Sequence, residues 1–477
     1  MKLFRLFQQY AAEKRPFLRL KNNIYSYGAF LNAVARDQET LRRAGIKGGS
    51  TVLLEEEDQT AFILRFVSLL GLQCWAVPLP TNLKERELGE VLSRTDARRA
   101  PPVVLSDVMD LVLLSDRPVS LFQDIDETKC GIYHMTSGST GKPKFCIRTL
   151  NALLQEGISY ACFLKEDSQD IYLSAAPLYH SFALGAALMA CFATGGSIVP
   201  IRRFLAGKTA LLLKQEPITI LVAVPDMIRL MSLANTDPPK PLSLRLTVVG
   251  AGPLRDTDRL CFQRLYGSTI CGNYGSTKTG GAIAFSGERP TGSLGQPMPG
   301  VEIRISDEAG NTVPIGEIGE IRIRSPYMMT AYLDQKAGAT FDPEGFYPMG
   351  DLVRWDSHGY IYLVGRKKRM LKIGGKTINP QEIENVLLSH PSIMECAVYT
   401  EKRRLSGPPI LQAAIVCEEP ISDTELRSFC LDRLSSYKVP AVIHRVGSLP
   451  KNNCGKVLYN RLPPESGDDH TGDVLAQ

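Results

Sequence analysis

Apolar residues along the chain follow two alternating patterns. Helical spacing predicts helices at 30–41 and 61–70, and short runs rich in β-branched residues predict strands at 51–54, 218–224 and 246–249. Gly and Pro separate many of these runs. Because helical and strand patterns alternate, the sequence predicts α/β layers rather than an all-α or an all-β fold.

The pattern changes at about residue 300. Short alternating strands are predicted from there at 301–305, 319–324 and 360–364, which indicates a smaller β-rich module. The charged run 366–369 follows, and we place a domain junction there because a new set of helices and strands continues to about residue 462. The tail, 463–477, is polar with almost no large apolar residue, and we expect it to be disordered.

Two segments bear on targeting. Apolar spacing at 3–7 predicts an amphipathic helix, and the start of the chain lacks the apolar core and cleavage site of a secretory signal. The stretch 171–201 contains no Asp, Glu, Lys or Arg, and its length alone would admit a membrane span. Pro177, His180 and the Gly195–Gly196 pair interrupt it, so a buried helix followed by a strand is predicted instead.

Composition narrows the class of protein. With 477 residues, 44% hydrophobic and 22% charged, the chain is long enough for two or more domains and has a globular composition. A net charge of +5 with one short basic run does not favour binding to nucleic acid or a membrane surface. The eleven cysteines form no CxxC pair and the histidines do not cluster at ligand spacing, so we expect reduced thiols in a cytoplasmic protein, without disulfides or zinc.

A stretch of small and hydroxyl residues follows the apolar segment 130–135. It reads Thr136, Ser137, Gly138, Ser139, Thr140, Gly141, Lys142, Pro143, Lys144. Small residues let backbone N–H groups surround a polyphosphate, and the two lysines add positive charge. The spacing is not that of a Walker A loop, because Pro143 occupies the place of the magnesium-binding Ser or Thr. Taken alone, the stretch is either a phosphate-binding loop or a flexible Ser/Gly loop.

This stretch resembles the phosphate loop of the adenylate-forming superfamily, which includes acyl- and aryl-CoA synthetases, luciferases and peptide-synthetase adenylation domains. Further segments resemble the family's motifs in the family's order, and with the first stretch they make seven: 136–144, 177–184, 273–277, 292–300, 350–351, 365–384 and 450–456. The resemblance covers nearly the whole chain. It implies an α/β N-terminal domain of layered sheets and helices with a β-rich subdomain, residues 1–366, and a small, mobile α+β C-terminal domain, residues 367–462.

The resemblance also implies how ATP is bound and attacked. Joining a carboxylate to the α-phosphate brings two anions together, so the site must clamp and position charge. The catalytic residues implied are Lys456, which bridges the carboxylate and the α-phosphate, His180 beside the carboxylate, Thr277 at the α-phosphate, and Lys372. The nucleotide-binding residues implied are Thr136, Ser137, Gly138, Ser139, Thr140, Gly141, Lys142, Lys144, Asn273, Tyr274, Gly275, Asp351 and Arg366, with Tyr274 stacked on adenine and Asp351 at the ribose hydroxyls.

A second half-reaction is implied for the C-terminal domain. There a thiol attacks the acyl-adenylate after the domain has rotated about a hinge at Lys368, which carries Lys372 and the Gly374–Gly375 loop into the site. The thiol belongs either to coenzyme A or to the phosphopantetheine of a separate carrier protein.

One residue departs from the family pattern. The family places a Glu associated with magnesium after the position of Thr277, but this chain has Lys278. An ammonium group cannot ligate a metal, so no metal ligand is predicted and the mode of Mg²⁺ binding is open. Either Lys278 neutralises phosphate charge, or the ion is held through phosphates and water, or the enzyme is impaired. Our hypothesis is a slowed but real adenylation. Smaller departures are Met349 and Tyr459.

The segment after His180 bears on the acid. Relatives that activate amino acids place an Asp there, whereas 181–187 contains no acidic residue. We therefore expect an aryl or fatty acid rather than an α-amino acid, in a pocket lined by Phe182, Val249 and Gly250. The alternative is that Phe182 belongs to the core.

Three functions remain open at this point. The leading prediction is an ATP-dependent acid–thiol ligase that forms an acyl-CoA thioester. A stand-alone ligase that loads a separate carrier protein is the nearest alternative. The third is a degenerate member that binds nucleotide or a partner without catalysis, which only Lys278 suggests. A hydrolase is disfavoured because the sequence contains no G-x-S-x-G elbow.

Overall fold

The computed structural model describes residues 2–20, 23–105, 125–137, 143–234, 242–336, 338–401, 409–451 and 457–463. The chain forms two compact units. The first comprises Met1–Arg304, Arg322–Pro348 and His358–Ile361, and the second comprises Ile305–Ile321, Met349–Ser357 and Tyr362–Gln477. The predicted domain boundary at 366/367 stays a prediction, and the predicted disordered tail lies outside the described residues from 464 onward.

The helices described for the first unit cover the faces of its sheets. A π-helix, Leu184–Met189, joins α6 to α7. The α-helices are α1 Leu3–Ala12, α2 Tyr27–Arg43, α3 Gln59–Gly71, α4 Glu85–Thr95, α5 Leu150–Leu164, α6 Ser181–Ala183, α7 Ala190–Thr194, α8 Ala206–Gln215, α9 Pro225–Ala234 and α10 Asp256–Tyr266.

The strands of the first unit form two sheets. One has the order β13-β12-β11-β10-β9-β7-β8-β1-β2 and is parallel from β11 to β1, and the other has the order β16-β6-β5-β4-β3. The strands are β1 Pro16–Leu20, β2 Asn23–Ser26, β3 Thr51–Leu54, β4 Trp75–Pro78, β5 Gly131–Ser137, β6 Pro143–Thr149, β7 Ile171–Ser174, β8 Ser197–Ile198, β9 Ile220–Ala223, β10 Leu246–Val249, β11 Thr269–Ser276, β12 Gly280–Ser286, β13 Ser293–Pro297, β14 Glu302–Ser306, β15 Ile318–Arg324, β16 Ala331–Tyr332, β17 Tyr347–Trp355 and β18 Ile361–Arg366. Of these, β14, β15, β17 and β18 contribute residues to both units.

The two largest buried clusters form most of the core described for the first unit. The larger contains the aromatic rings of Phe7, Phe17, Tyr27 and Phe192, and the smaller lies among β9, β10 and the helices α8, α9 and α10. The predicted amphipathic helix at the start of the chain is confirmed, since α1 buries its apolar face. The stretch 171–201 begins with strand β7, which was not predicted. After it come buried helical segments and then strand β8, as predicted. No helix within the described residues is long and apolar enough to cross a membrane.

The second unit is a small α+β structure. Its sheet has the order β21-β22-β23, and a two-stranded hairpin precedes it. The hairpin turns at Gly374 and Gly375, whose φ angles of 55° and 77° suit a two-residue turn that needs positive φ at both positions. The elements are β19 Leu371–Ile373, β20 Lys376–Ile378, β21 Ile393–Glu401, β22 Ile410–Cys417, β23 Val442–Arg445, α11 Pro380–Leu388, α12 Asp423–Leu431 and the 3₁₀ helices Lys367–Arg369, Ser436–Lys438 and Tyr459–Arg461.

The predicted fold class is confirmed: a large α/β unit is accompanied by a small α+β unit. The ten cysteines within the described residues are free thiols.

Candidate functional site

The two ends of the predicted phosphate loop lie side by side. Strands β5 and β6 pair antiparallel, so Thr136 lies directly opposite Lys144, and the Thr136 hydroxyl donates to the Lys144 carbonyl at 3.2 Å. The Lys144 ammonium lies 5.1 Å from the centre of the Tyr332 ring. Gly138, Ser139, Thr140, Gly141 and Lys142 lie outside the described residues. The hairpin therefore closes the base of this loop. It also carries Lys144, one of the two lysines predicted for the loop.

Two imidazoles lie near this hairpin, and one is buried while the other is half-buried. His180 immediately precedes α6 and packs 4.4 Å from the Tyr179 ring, and burial lowers its pKa. His134 on β5 is almost fully buried, and burial, with the charge of Arg148, holds its pKa well below the ordinary value. Both rings are therefore neutral at pH 7. A neutral His180 can donate a hydrogen bond to a carboxylate without adding a formal charge.

The turn between β11 and β12 places Thr277 beside the start of α6. The Ser181 hydroxyl donates to the Thr277 hydroxyl at 3.4 Å. Ser276 and Thr279 hold the turn, because their hydroxyls lie 3.0 Å apart and the Lys278 amide donates to Ser276 Oγ at 3.2 Å. The structure thus brings the segment around His180 and the segment 273–277 together.

Lys278 lies close to β6. Burial raises the pKa of the Cys146 thiol to about 11, and the positive charges of Lys278 and Arg148 oppose that rise. Within the described ranges, no group of three or more His, Cys, Asp or Glu side chains is arranged to hold a metal ion. Mg²⁺ in nucleotide sites is usually held by one or two carboxylates together with phosphates and water, so the mode of Mg²⁺ binding stays as the sequence left it.

The predicted adenine segment lies on β11. Asn273 and Tyr274 pair with Ala284 and Ile283 of β12, and both side chains are half-buried. The register shifts between Tyr274 and Gly275, where a side chain at position 275 would collide with the backbone of Gly280. The glycine therefore permits the bulge that leads into the Thr277 turn.

Sequence reasoning missed a buried ion pair beneath this turn. Arg148 Nη2 lies 2.7 Å from Glu156 Oε2, and both side chains are at most 1% exposed. Glu156 Oε1 accepts the Gly281 amide at 2.9 Å, while Arg148 donates to the Tyr327 carbonyl. The pair thereby holds the start of β12, which carries the turn. Its only signal in the sequence is a single charge inside each of two apolar runs, which does not identify a partner.

Of the three residues predicted to line the acid pocket, two lie next to each other. A Cβ atom at Gly250 would lie 2.6 Å from the Phe182 ring, so the ring covers this glycine. Val249 is 3% exposed and its side chain belongs to the smaller core cluster, whereas Phe182 packs against the larger one. Phe182 and Gly250 are therefore adjacent, and the side chain of Val249 serves the core.

The remaining predicted residues that the structure describes belong to the second unit. Asp351 is 1% exposed, and its Oδ1 lies 2.8 Å from Arg366 Nε. Lys368 is exposed in the 3₁₀ helix, and Lys372 is exposed on β19 opposite Thr377. Lys456 lies outside the described residues, between Lys451 and Val457, which form an antiparallel bridge.

Comparison with known proteins decides the family. Residues 7–333 match the AMP-binding enzyme family, and residues 382–456 match the AMP-binding enzyme C-terminal domain. This chain belongs to the AMP-binding enzyme family. The predicted adenylate-forming superfamily and the predicted class of acid–thiol ligase are thereby confirmed.

Relatives of known name extend over nearly the whole chain. The 2-succinylbenzoate–CoA ligase of Bacillus licheniformis is 30% identical over 446 residues, covering 88% of this chain and 91% of the relative. The medium-chain fatty-acid–CoA ligase of Escherichia coli is 27% identical over 482 residues, covering 91% and 84%. The o-succinylbenzoate CoA synthetase of Bacillus subtilis, solved with its acyl-adenylate intermediate, has a TM-score of 0.84 at 26% identity and covers 98% of this chain and 99% of its own.

Proposed function

We propose that this AMP-binding enzyme activates an aryl or fatty carboxylic acid and transfers it to coenzyme A. In the first step a carboxylate oxygen attacks the α-phosphorus of ATP, and pyrophosphate leaves. In the second step the thiolate of coenzyme A attacks the acyl carbonyl, and AMP leaves. The names of the relatives, 2-succinylbenzoate–CoA ligase and medium-chain fatty-acid–CoA ligase, support both the acid classes and the acceptor.

The contact between Ser181 and Thr277 carries this proposal. It places the neutral His180 next to the residue proposed for the α-phosphate, and the first step needs the carboxylate and that phosphate side by side. His180 would orient the carboxylate through its N–H, and Thr277 would hold the α-phosphate. Lys144 and the loop that it closes would hold the outer phosphates, and Lys456 would bridge the two reacting anions.

One set of residues would hold the adenine of the nucleoside, and another would hold its ribose. Tyr274 would stack on adenine beside Asn273 and Gly275, and Asp351 would accept the ribose hydroxyls. A carboxylate suits this role because it accepts hydrogen bonds through two oxygens, and the ion pair with Arg366 fixes its position. In the second step the hinge at Lys368 would turn the part of the chain that follows it, which carries Lys372.

The proposal is tested by acid-dependent exchange of labelled pyrophosphate into ATP, over a panel of aryl, short-chain and medium-chain acids. Exchange with one class identifies the acid, and thioester formation is then compared between free coenzyme A and a phosphopantetheinylated carrier protein. If the acyl group is transferred only to the carrier protein, the carrier and not coenzyme A is the acceptor. Silence over the whole panel would favour the nucleotide-binding alternative.

Lys278 gives a prediction about magnesium, which the solved Bacillus subtilis relative contains together with ATP. We propose that Lys278 neutralises phosphate charge and that Mg²⁺ is held through phosphates and water. Lys278→Glu should raise the adenylation rate about tenfold, because a carboxylate can ligate the ion that supports the leaving phosphates. The magnesium dependence of exchange should shift to lower concentration. Lys278→Met, which removes the charge without adding a ligand, should be slower than the wild type. An unchanged rate and magnesium response in Lys278→Glu would rule out this account.

Gly250 gives a prediction about the acid pocket. Gly250→Ala places a methyl group 2.6 Å from Phe182, so the ring must move. We expect kcat/KM for the acid to fall about tenfold, because displaced substrate contacts misalign the carboxylate. The KM for ATP should hold. Phe182→Leu in the same chain should restore most of the loss, as coupled neighbours do. If the effects of the two single substitutions on kcat/KM simply add in the double variant, Phe182 does not line the pocket.

A further inference from the structure

The basic run 366–369 begins with two anchored residues. Arg366 Nε lies 2.8 Å from Asp351 Oδ1, and Lys367 Nζ lies 3.1 Å from Glu320 Oε2. Both carboxylates are largely buried, at 1% and 9% exposure. Because Asp351 lies on β17 and Glu320 on β15, the first two cations of the run are fixed to strands that precede it in the chain.

Arg369, the last residue of the run, is anchored to elements that follow it. Its guanidinium makes two bonds to Glu384 on α11, at 2.6 and 3.2 Å. It also lies 4.5 Å from the centre of the Tyr459 ring. Glu384 is 5% exposed and additionally accepts the Val398 amide at 2.9 Å and the Tyr459 hydroxyl at 3.4 Å. We call these three residues, Arg369, Glu384 and Tyr459, the anchor cluster.

Lys368 lies between these two sets of anchors. Its side chain is exposed, and it makes no ion pair with any residue that the structure describes. It is also the middle residue of the short 3₁₀ helix Lys367–Arg369, which connects β18 to β19. A change in φ and ψ at Lys368 breaks no ion pair of its own, whereas the same change at its neighbours would pull on one.

We propose that the anchor cluster is a positioning device that fixes the first residue after the pivot, so that rotation is confined to Lys368. This inference rests on the two-step function proposed above. A bidentate Arg–carboxylate pair fixes orientation as well as distance, and the Tyr459 ring covers the guanidinium from a second side. The chain after residue 368 therefore turns as one body and reaches defined positions for each half-reaction.

The expected consequence is a loss of rate without a loss of substrate affinity. If the ion pair of Arg369 is lost, the rotation spreads over several residues. The reacting groups are then correctly aligned for a smaller fraction of the time. None of the three residues of the anchor cluster is among the proposed contacts to ATP or the acid. The kcat values of both half-reactions should fall together. The KM values for ATP and for the acid should stay close to those of the wild type.

The test compares Arg369→Ala with Arg433→Ala. Arg433 is an exposed arginine of the same unit whose guanidinium also covers a ring, 3.8 Å from the centre of Phe429, but it lies outside the run. Pyrophosphate exchange and single-turnover transfer from acyl-adenylate to coenzyme A are measured separately. We expect Arg369→Ala to lower both rates about tenfold or more, with KM values within about twofold of the wild type. Arg433→Ala should match the wild type.

Two further measurements separate positioning from folding. Tyr459→Ala leaves the ion pair with Glu384 in place and should lower both rates by a smaller factor, while Tyr459→Phe should match the wild type. Trypsin cleavage after Lys367 and Lys368 should accelerate about fivefold in folded Arg369→Ala, because the local structure opens more often. If folded Arg369→Ala and Tyr459→Ala keep wild-type rates and wild-type cleavage, the inference is wrong. If the wild-type protein catalyses neither half-reaction, the result contradicts the proposed two-step function rather than the role of the anchor cluster.

Discussion

Lys456→Ala should reduce acid-dependent pyrophosphate exchange by about 10²–10³-fold or more. A cation that bridges the carboxylate and the α-phosphate acts where negative charge builds in the transition state, and removing one such group from a preorganised site costs about that much. ATP and acid binding should change far less than the rate. The exchange assay, run at saturating ATP with the preferred acid, measures the effect directly.

Lys451→Ala provides the matched control for Lys456→Ala. Lys451 lies in the same segment, and its ammonium pairs with Glu395 at 2.9 Å in a half-exposed ion pair. Such pairs contribute about 0–1 kcal/mol to stability, so the variant should fold and keep its exchange rate. Equal losses in the two variants would show that the segment is sensitive to any substitution and would remove Lys456 from the proposed mechanism.

Glu156→Gln should produce the largest loss of stability. It leaves Arg148 buried with its charge uncompensated, and breaking a buried pair in this way costs about 3–5 kcal/mol of the free energy of unfolding. The chain has two tryptophans, Trp75 in the first unit and Trp355 in the second. In a Trp355→Phe background, the fluorescence of Trp75 during urea unfolding reports on the unit that contains Glu156.

The control for Glu156→Gln is an ion pair of the same type at the surface. Glu57 and Arg202 lie 2.9 Å apart with both side chains exposed, so Glu57→Gln should change stability by about 0–1 kcal/mol. If the two variants unfold at the same urea concentration, the buried pair does not stabilise the turn that carries Thr277.

Local patterns in the sequence predicted most of the fold. Apolar spacing predicted α1, α2 and α3, and β-branched runs predicted β3, β9 and β10, because each of these elements buries a continuous face. Motif resemblance predicted that the segments around His180 and Thr277 serve one site, and the structure brings them together.

Features that depend on packing between distant segments were not predicted. The pairing of Arg148 with Glu156 depends on how α5 packs against the sheet, and one charge in an apolar run has no periodicity that reveals its partner. Val249 was predicted to line the pocket, but its side chain belongs to the smaller core cluster, on a strand whose side chains alternate between two faces. The roles of Lys456 and of the loop 138–142 stay predictions, because these residues lie outside the described ranges.

The π-helix Leu184–Met189 bears on the number of residues that this segment can hold. Its wider turn holds one residue more than an α-helix would. A side chain at Gly185 would meet the Glu156 carboxylate at 2.5 Å, so this turn packs directly on the buried ion pair. An extra residue in a regular α-helix would rotate one end by roughly 100° relative to the other, but the π-turn takes up this residue and leaves the two ends facing as they would in a regular helix one residue shorter. Ser181 can therefore face Thr277 while α7 packs against α5. Homologous chains that are one residue shorter here should form a regular helix and keep both contacts.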